Sequence, residues 1–263
     1  MEYFETHAHP DYPLIRDKNK YINDMRAVGI KKMIIAPITY ESNYRAMEYF
    51  PEEKYPEVFF AKGLHPKCAM DSGLWEKEKL GCFKELVQNH RVVAIKSGLD
   101  LSSKTLSTDQ IQNQIIFLKF FMEFAYEKEK PLVLHVQNAA KEVLKILKRN
   151  PLKTEAEIHC FAYDKNIMEK FIDAGVKYFG IGGRITKSEN GNLQEAVKYM
   201  PLEMILLESD SPFVSVEGNE NRIGTSAKSL PIVVKKIAEI KSISENEVAK
   251  ITYSNACNFF GVH

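Results

Sequence analysis

The sequence lacks the features that mark membrane-spanning, secreted or disulfide-stapled proteins. Its most apolar stretch, residues 115–126, is interrupted by Lys119 and Glu123, so it is too short and too charged to span a bilayer. Residues 1–5 contain neither a basic nor an apolar segment, and we expect no secretory signal. The four cysteines form no Cys-x-x-Cys pair, which predicts free thiols in a reducing cytoplasm.

An excess of charge of either sign is also missing, since 36 Lys and Arg residues stand against 35 Asp and Glu residues. A formal net charge of +1 gives no general attraction to nucleic acids or membranes, although it allows a local patch. The hydrophobic fraction of 44% excludes a disordered or collagen-like chain. With 263 residues, the chain can bury a large core without disulfide or metal support.

The main pattern present is an alternation of short β-rich runs with longer amphipathic segments. The predicted strands are 3–6, 32–37, 58–63, 92–96, 132–136, 156–161, 178–181 and 204–208, and the predicted helices are 17–28, 42–50, 74–89, 108–128, 139–149, 164–174, 191–200, 229–241 and 245–260. Eight strand–helix units without a Gly/Pro/Ser-rich linker predict one domain, residues 1–263, an α/β fold of the (β/α)8 TIM-barrel type with C-terminal helices. A doubly wound open sheet is the alternative, but the first turn, residues 7–11, contains no glycine.

Most of the histidines fall where predicted strands end. Barrel enzymes build their active sites at the C-terminal ends of the strands. Imidazoles and carboxylates that converge there are typical ligands of a divalent cation. Any single histidine in such a place is more simply a hydrogen-bonded polar residue, so the prediction of a metal site depends on the joint placement. The residues concerned are His7, His9, His65, His135, His159 and Asp210.

Six motifs, in order along nearly the whole chain, resemble those of the TatD-type metal-dependent hydrolases of the amidohydrolase superfamily. They are Glu5-Thr6-His7-Ala8-His9-Pro10-Asp11, Gly63-Leu64-His65-Pro66, Gly98-Leu99-Asp100, Pro131-Leu132-Val133-Leu134-His135, His159-Cys160-Phe161 and Glu208-Ser209-Asp210-Ser211-Pro212. The resemblance implies a hydrolase in which a metal-held water attacks a phosphodiester, as in the TatD-type deoxyribonucleases.

The resemblance also implies a role for each matching side chain. Asp210 would orient the attacking water as its general base, and His65 would contact a substrate oxygen. Glu5 and Glu208 would hold the ligand histidines from behind. Zn is the ion first expected for this donor set, with Mn, Fe, Ni and Mg as alternatives. The implied ligands are His7, His9 and Asp210 for one ion, and His135 and His159 for a second.

Lys96 is the largest departure from the family pattern, because the family has a metal-bridging glutamate at this position. A protonated lysine has no lone pair to donate and would repel two cations. Carboxylation of its amine would make Lys96 a bridging ligand, as in the related phosphotriesterases and dihydroorotases. Alternatively, a cationic Lys96 would leave a site for one metal, or the side chain would simply point to solvent. Its expected place at the end of a buried strand makes the solvent-facing hypothesis the weakest.

Two further departures concern the contacts of an anionic substrate. Gln137 stands where the family usually has an arginine, and it cannot supply that charge. The family also has an arginine-containing segment after the position of Pro212. In this chain only Arg222 of that segment is left as an anion contact. We expect His65, Gln137 and Arg222 to bind substrate, and the two departures weaken a transfer of DNase specificity from the family.

Three functions stay open on the sequence. The first is a hydrolase of phosphodiesters. The second is an amidohydrolase-type enzyme with a carboxylated Lys96, which acts on a small amide, ester, lactone or phosphoester. The third is a non-catalytic barrel, against which the complete set of histidines argues. We expect a small-molecule or nucleic-acid substrate, no membrane and no obligate protein partner.

Overall fold

The computed structural model describes residues 1–70, 77–218 and 227–263, and within them eight parallel strands form one sheet in chain order. The strands are β1 (Tyr3–Ala8), β2 (Ile30–Ile35), β3 (Val58–Gly63), β4 (Val92–Asp100), β5 (Leu132–Gln137), β6 (Ala156–His159), β7 (Tyr178–Ile181) and β8 (Ile205–Leu207). Hydrogen bonds join the end of β8 to β1, because the Asp210 N–H donates to the His7 carbonyl at 2.9 Å and the His9 N–H donates to the Ser211 carbonyl at 2.8 Å. The predicted (β/α)8 barrel is confirmed.

Helices alternate with these strands and two more follow β8. They are α1 (Lys18–Ala27), α2 (Tyr40–Tyr49), α3 (Lys77–Leu86), α4 (Thr108–Glu127), α5 (Ala140–Arg149), α6 (Lys165–Asp173), α7 (Gly191–Tyr199), α8 (Leu230–Lys241) and α9 (Glu245–Phe260). The capping box predicted for α4 is present, since the Ser107 hydroxyl accepts from the Gln110 N–H and the Gln110 side chain accepts from the Ser107 N–H. The predicted helix limits hold to within a few residues wherever the structure describes them.

Alternation along the strands separates the helix-facing core from the barrel interior. On β5, Leu132 and Leu134 belong to the cluster that packs against the helices, whereas His135 and Gln137 line a cavity at the barrel mouth. The period of two therefore directs apolar residues outward to the helices and polar residues to one end of the interior.

β4 is longer than the sequence predicts, and this changes the setting of Lys96. The strand continues to Asp100, which pairs with Gln137 of β5, so Lys96 lies in the middle of β4 and not at its end. The expected strand end was wrong because pairing with β5 carries the strand through Ser97 and Gly98, residues that on their own indicate a break.

Among the helices that the structure describes, none has both the length and the apolar character needed to cross a membrane. Cys68, Cys160 and Cys257 carry free thiols, and the Cys82 side chain lies outside the described residues.

Candidate metal centre

A cavity of about 500 Å³ opens at the C-terminal ends of the strands. Its floor contains five of the six expected ligands, and the sixth, His7, is completely buried beneath them. The five that line the cavity are His9, Lys96, His135, His159 and Asp210.

The first ligand set is formed where β1 and the residues after β8 meet. Donor atoms of His7, His9 and Asp210 lie within 4.8 Å of one another, and His9 Nε2 is 3.1 Å from Asp210 Oδ1. Burial opposes ionisation of Asp210, but the hydrogen bond from His9 and the nearby His159 and Lys96 hold the pKa of this carboxyl below its usual range. An ionised carboxylate and two imidazoles are therefore available to one cation.

The second set is a pair of histidines from neighbouring strands. His135 Nδ1 lies 3.2 Å from His159 Nε2, while their other ring nitrogens face carboxylates. His135 Nε2 is 3.6 Å from Asp100 Oδ2, and His159 Nδ1 is 3.4 Å from Glu208 Oε2. Burial lowers the pKa of His135 to about 4 and that of His159 to about 3, so both rings are neutral. The pKa of Asp100 is held below its usual range, so this carboxylate faces the Nε2 hydrogen of His135 and leaves the Nδ1 lone pair of that ring available to a cation. Burial instead raises the pKa of Glu208, which lies behind His159, well above its usual value.

Lys96 reaches across the barrel interior to the first ligand set. Its Nζ lies 2.8 Å from His7 Nε2, and the side chain is 0% exposed, so the hypothesis that it points to solvent is wrong. Burial lowers the pKa of Lys96 to about 8, although several carboxyl groups, Asp210 with the largest effect, raise it. The amine is therefore much more easily deprotonated than that of a surface lysine.

The two outer carboxylates expected from the sequence take different roles. Glu208 Oε1 accepts from the Cys160 N–H at 2.6 Å, and a methyl group on Gly180 of β7 would overlap the Glu208 carboxylate. The glycine thus leaves the space in which Glu208 reaches His159. Glu5 Oε1 instead accepts from the backbone N–H groups of His7 and Ser209, so it fixes the strand ends and contacts no imidazole hydrogen.

His65 follows β3 and faces the cavity in a defined tautomer. Its Nδ1 accepts from the Lys67 N–H at 3.2 Å, so in the neutral ring Nε2 carries the hydrogen. Burial holds the pKa of His65 far below its usual value, which keeps the ring neutral. A neutral N–H donor at the mouth suits a substrate oxygen. Gln137 lines the same cavity, and Arg222 lies outside the described residues.

Other cavity residues were not assigned from the sequence. Asp100 was noticed only as part of a motif, yet it is the carboxylate that faces His135. Tyr12 and Phe213 form an edge-to-face pair 4.9 Å apart beside His9. Arg184, in the turn after β7, also lines the cavity. The rule that found the histidines, placement after a strand, could have found Arg184.

Strained backbone accompanies the site. Asn138, Cys160 and Asp210 have φ values of 50°, 50° and 48°, and each follows a strand at the mouth. Non-glycine residues in this region cost about 1–3 kcal/mol each and persist where surrounding contacts hold them. For Cys160 and Asp210, the hydrogen bonds of their N–H groups to Glu208 and His7 supply that support.

The donor set fits a divalent cation. Burial holds the pKa values of His7, His135 and His159 below the usual value, so each neutral ring has one lone pair to offer, and the carboxyl of Asp210 is ionised beside them. Neutral imidazoles and an ionised carboxylate are the ligands that Zn and similar ions prefer.

Comparison with known proteins agrees with this fit. The model of the family described as TatD related DNase matches residues 4–261. The Bacillus subtilis protein named uncharacterized metal-dependent hydrolase YabD is 28% identical over 270 residues, which cover 99% of each chain. The crystal structure of the TatD homologue YjjV from Escherichia coli has a TM-score of 0.88 at 24% identity, over 99% of this chain and 98% of that one. An uncharacterized amidohydrolase from Saccharomyces cerevisiae has a TM-score of 0.85 at 15% identity, over 99% and 100% of the two chains.

Proposed function

Because the chain belongs to the TatD family of metal-dependent hydrolases, we propose that it hydrolyses a phosphodiester with the help of one or two divalent cations, Zn being the first choice. The observation that carries the proposal is the meeting of His7, His9 and Asp210 with the His135–His159 pair at the floor of one cavity. Family membership also favours a hydrolase over the non-catalytic barrel. The single-domain organisation and cytoplasmic location expected from the sequence stay predictions.

Each side chain of the site has a separate role in the proposed hydrolysis. The histidines and Asp210 would hold a divalent cation, which would lower the pKa of water toward neutrality and polarise the scissile group. Asp210, ionised and lining the cavity, accepts the proton of the attacking water. His65 donates its Nε2 hydrogen to a substrate oxygen as charge develops there. Asp100 and Glu208 keep the rings of His135 and His159 in one tautomer and orientation.

We further propose that Lys96 is carboxylated. The neutral amine attacks carbon dioxide, an N–C bond forms, one C–O π pair becomes a lone pair on oxygen, and the nitrogen passes a proton to water. The product is a carbamate whose two oxygens can serve both ligand sets. Burial supports this step, since a pKa of about 8 leaves part of the amine neutral near pH 7. The 2.8 Å contact with His7 supports the competing hypothesis, a cationic Lys96 and one metal.

The same residue supports a second candidate function. With a carboxylated Lys96 and the neutral Gln137 at the mouth, a small amide, ester or lactone is the alternative substrate. Neutral substrates of this kind need no arginine at the Gln137 position.

A substrate panel separates these functions. Protein loaded with Zn or Mn is offered single-stranded DNA, bis(p-nitrophenyl) phosphate, and small esters, lactones and amides, with Asp210→Asn as the inactive control. We expect turnover of the phosphodiesters. Turnover confined to the amides or lactones would transfer the proposal to the second candidate.

A further inference from the structure

Arg184 is held at the cavity by a rigid turn. It lies in a 3₁₀ turn, Gly183–Thr186, and the Asn190 side-chain amide donates to its carbonyl oxygen at 2.9 Å. The hydroxyl of Thr186 accepts from the Glu217 N–H at 2.8 Å. A methyl on Gly183 would lie 2.7 Å from the Ser215 carbonyl oxygen, so glycine permits the turn to pack on the segment after β8. The backbone that carries Arg184 is therefore fixed before any ligand binds.

The charge of Arg184 is not neutralised by a contact within the described part of the chain. Three cationic side chains line the described cavity. Lys67 lies 3.5 Å from Asp100 Oδ2, and the amine of Lys96 contacts His7. Arg184 forms no ion pair with any described carboxylate, and its Nε is buried without a partner.

The groups that surround the Arg184 guanidinium do not take the place of an ion-pair partner. Its guanidinium contacts the thiol of Cys160, an uncharged group at neutral pH. Asp210 and Glu208 act on it only from beyond ion-pair distance. A half-buried guanidinium with an orphaned N–H beside a cavity is suited to accept an anion, whose oxygens match its planar donors.

We propose that Arg184 binds the anionic oxygens of the substrate's phosphoryl group and determines specificity for a phosphodiester. The inference rests on the proposed function and deepens it. Gln137, beside His135, brings no charge to the mouth, whereas the charge of Arg184, after β7, acts on His159 and Asp210. The anionic oxygens therefore point toward the β6–β8 wall, and His65 on the β3 side is left for another substrate oxygen.

Binding of inorganic phosphate tests Arg184 without any need for turnover. Calorimetric titrations compare the metal-loaded wild type with Arg184→Gln, Arg184→Lys and the control Lys187→Gln, which removes a charge from the same segment outside the cavity lining. Loss of a charge-assisted contact should weaken phosphate binding about 10- to 100-fold in Arg184→Gln. The phosphate affinity of Arg184→Lys should lie between those of the wild type and Arg184→Gln, because lysine keeps the charge but loses the planar pair of N–H donors. Unchanged phosphate affinity in Arg184→Gln, with metal content and melting temperature intact, would overturn the proposal.

A pair of substrates separates specificity from a structural role. For bis(p-nitrophenyl) phosphate, an anion, kcat/KM should fall about 10- to 100-fold in Arg184→Gln, while for the neutral p-nitrophenyl acetate it should be unchanged. Equal losses on both substrates would show that Arg184 only supports the fold of the mouth. A wild type that hydrolyses neither compound would contradict the proposed function, and the phosphate titration would still decide the role of Arg184.

Discussion

The amine of Lys96 lies 2.8 Å from Nε2 of His7, and both side chains are fully buried. An amine that donates to Nε2 occupies the lone pair that a metal bound at this nitrogen would need. Metal binding through Nε2 of His7 therefore requires Lys96 to withdraw or to change its chemistry. Carboxylation accomplishes this, since it converts a competing donor into a ligand.

Replacement of Lys96 by alanine distinguishes its two possible forms. If Lys96 is a carbamate, the activity of Lys96→Ala should be about 100-fold or more below that of the wild type. Added acetate or propionate should restore part of it. Hydrolysis rates with and without these acids provide the measurement. Rescue by methylamine or ethylamine, with no effect of the acids, would instead show that Lys96 acts as a cation.

Asp210→Asn tests the assignment of the general base. Asparagine keeps the size of the side chain but can neither accept a proton at neutral pH nor bring a negative charge to the ligand set. We expect turnover to fall about 10²- to 10⁴-fold while the far-UV circular dichroism spectrum and melting temperature stay close to those of the wild type. A variant that keeps most of its activity would show that another group takes the proton.

The barrel and the convergence of the histidines could be predicted because both follow from local patterns: the period of two in strands and the placement of polar residues after them. The length of β4 could not, since its extension through Gly98 depends on pairing with β5. The partnership of Asp100 with His135 has the same origin in neighbouring strands. Arg184 belongs to none of the six motifs, and its missing counter-charge is a property of the assembled mouth that the sequence does not show.

Glu208→Gln should weaken metal binding and leave the barrel folded. Glutamine fits the same space beside Gly180, but with its oxygen on the Cys160 N–H its remaining amide atom is an N–H donor, which cannot accept a hydrogen from His159 Nδ1. Loss of such a partner typically costs 10- to 100-fold in metal affinity, to be measured by competition with a chromogenic chelator. The exposed Glu195→Gln on α7 is the control and should match the wild type. Equal affinities in all three proteins would remove Glu208 from the site.

Lys62 provides a pH-dependent prediction outside the cavity. Its side chain is 1% exposed, and its amine donates to the Asn43 carbonyl. Burial lowers the pKa of Lys62 from 10.5 to about 7, against the raising effect of Asp11. Between these pH values the unfolded chain binds more protons than the folded one, so this group makes the free energy of unfolding rise with pH.

Lys62→Met should remove that rise and be more stable than the wild type at pH 6, where burial of the charged amine costs most. Urea unfolding between pH 6 and 9 measures the effect, and Lys119→Met, at an exposed position on α4, is the control. Parallel stability curves for the wild type and Lys62→Met would contradict the depressed pKa.

Metal content is the most direct test of the central claim, that this barrel holds a divalent cation on His7, His9, Asp210 and the His135–His159 pair. Inductively coupled plasma mass spectrometry measures the metal content of protein purified without chelator. It is repeated after the protein has been dialysed against Zn or Mn and freed of excess metal. We expect one or two tightly held ions per chain. Trace metal alone after both treatments, in protein that is folded, would contradict the claim.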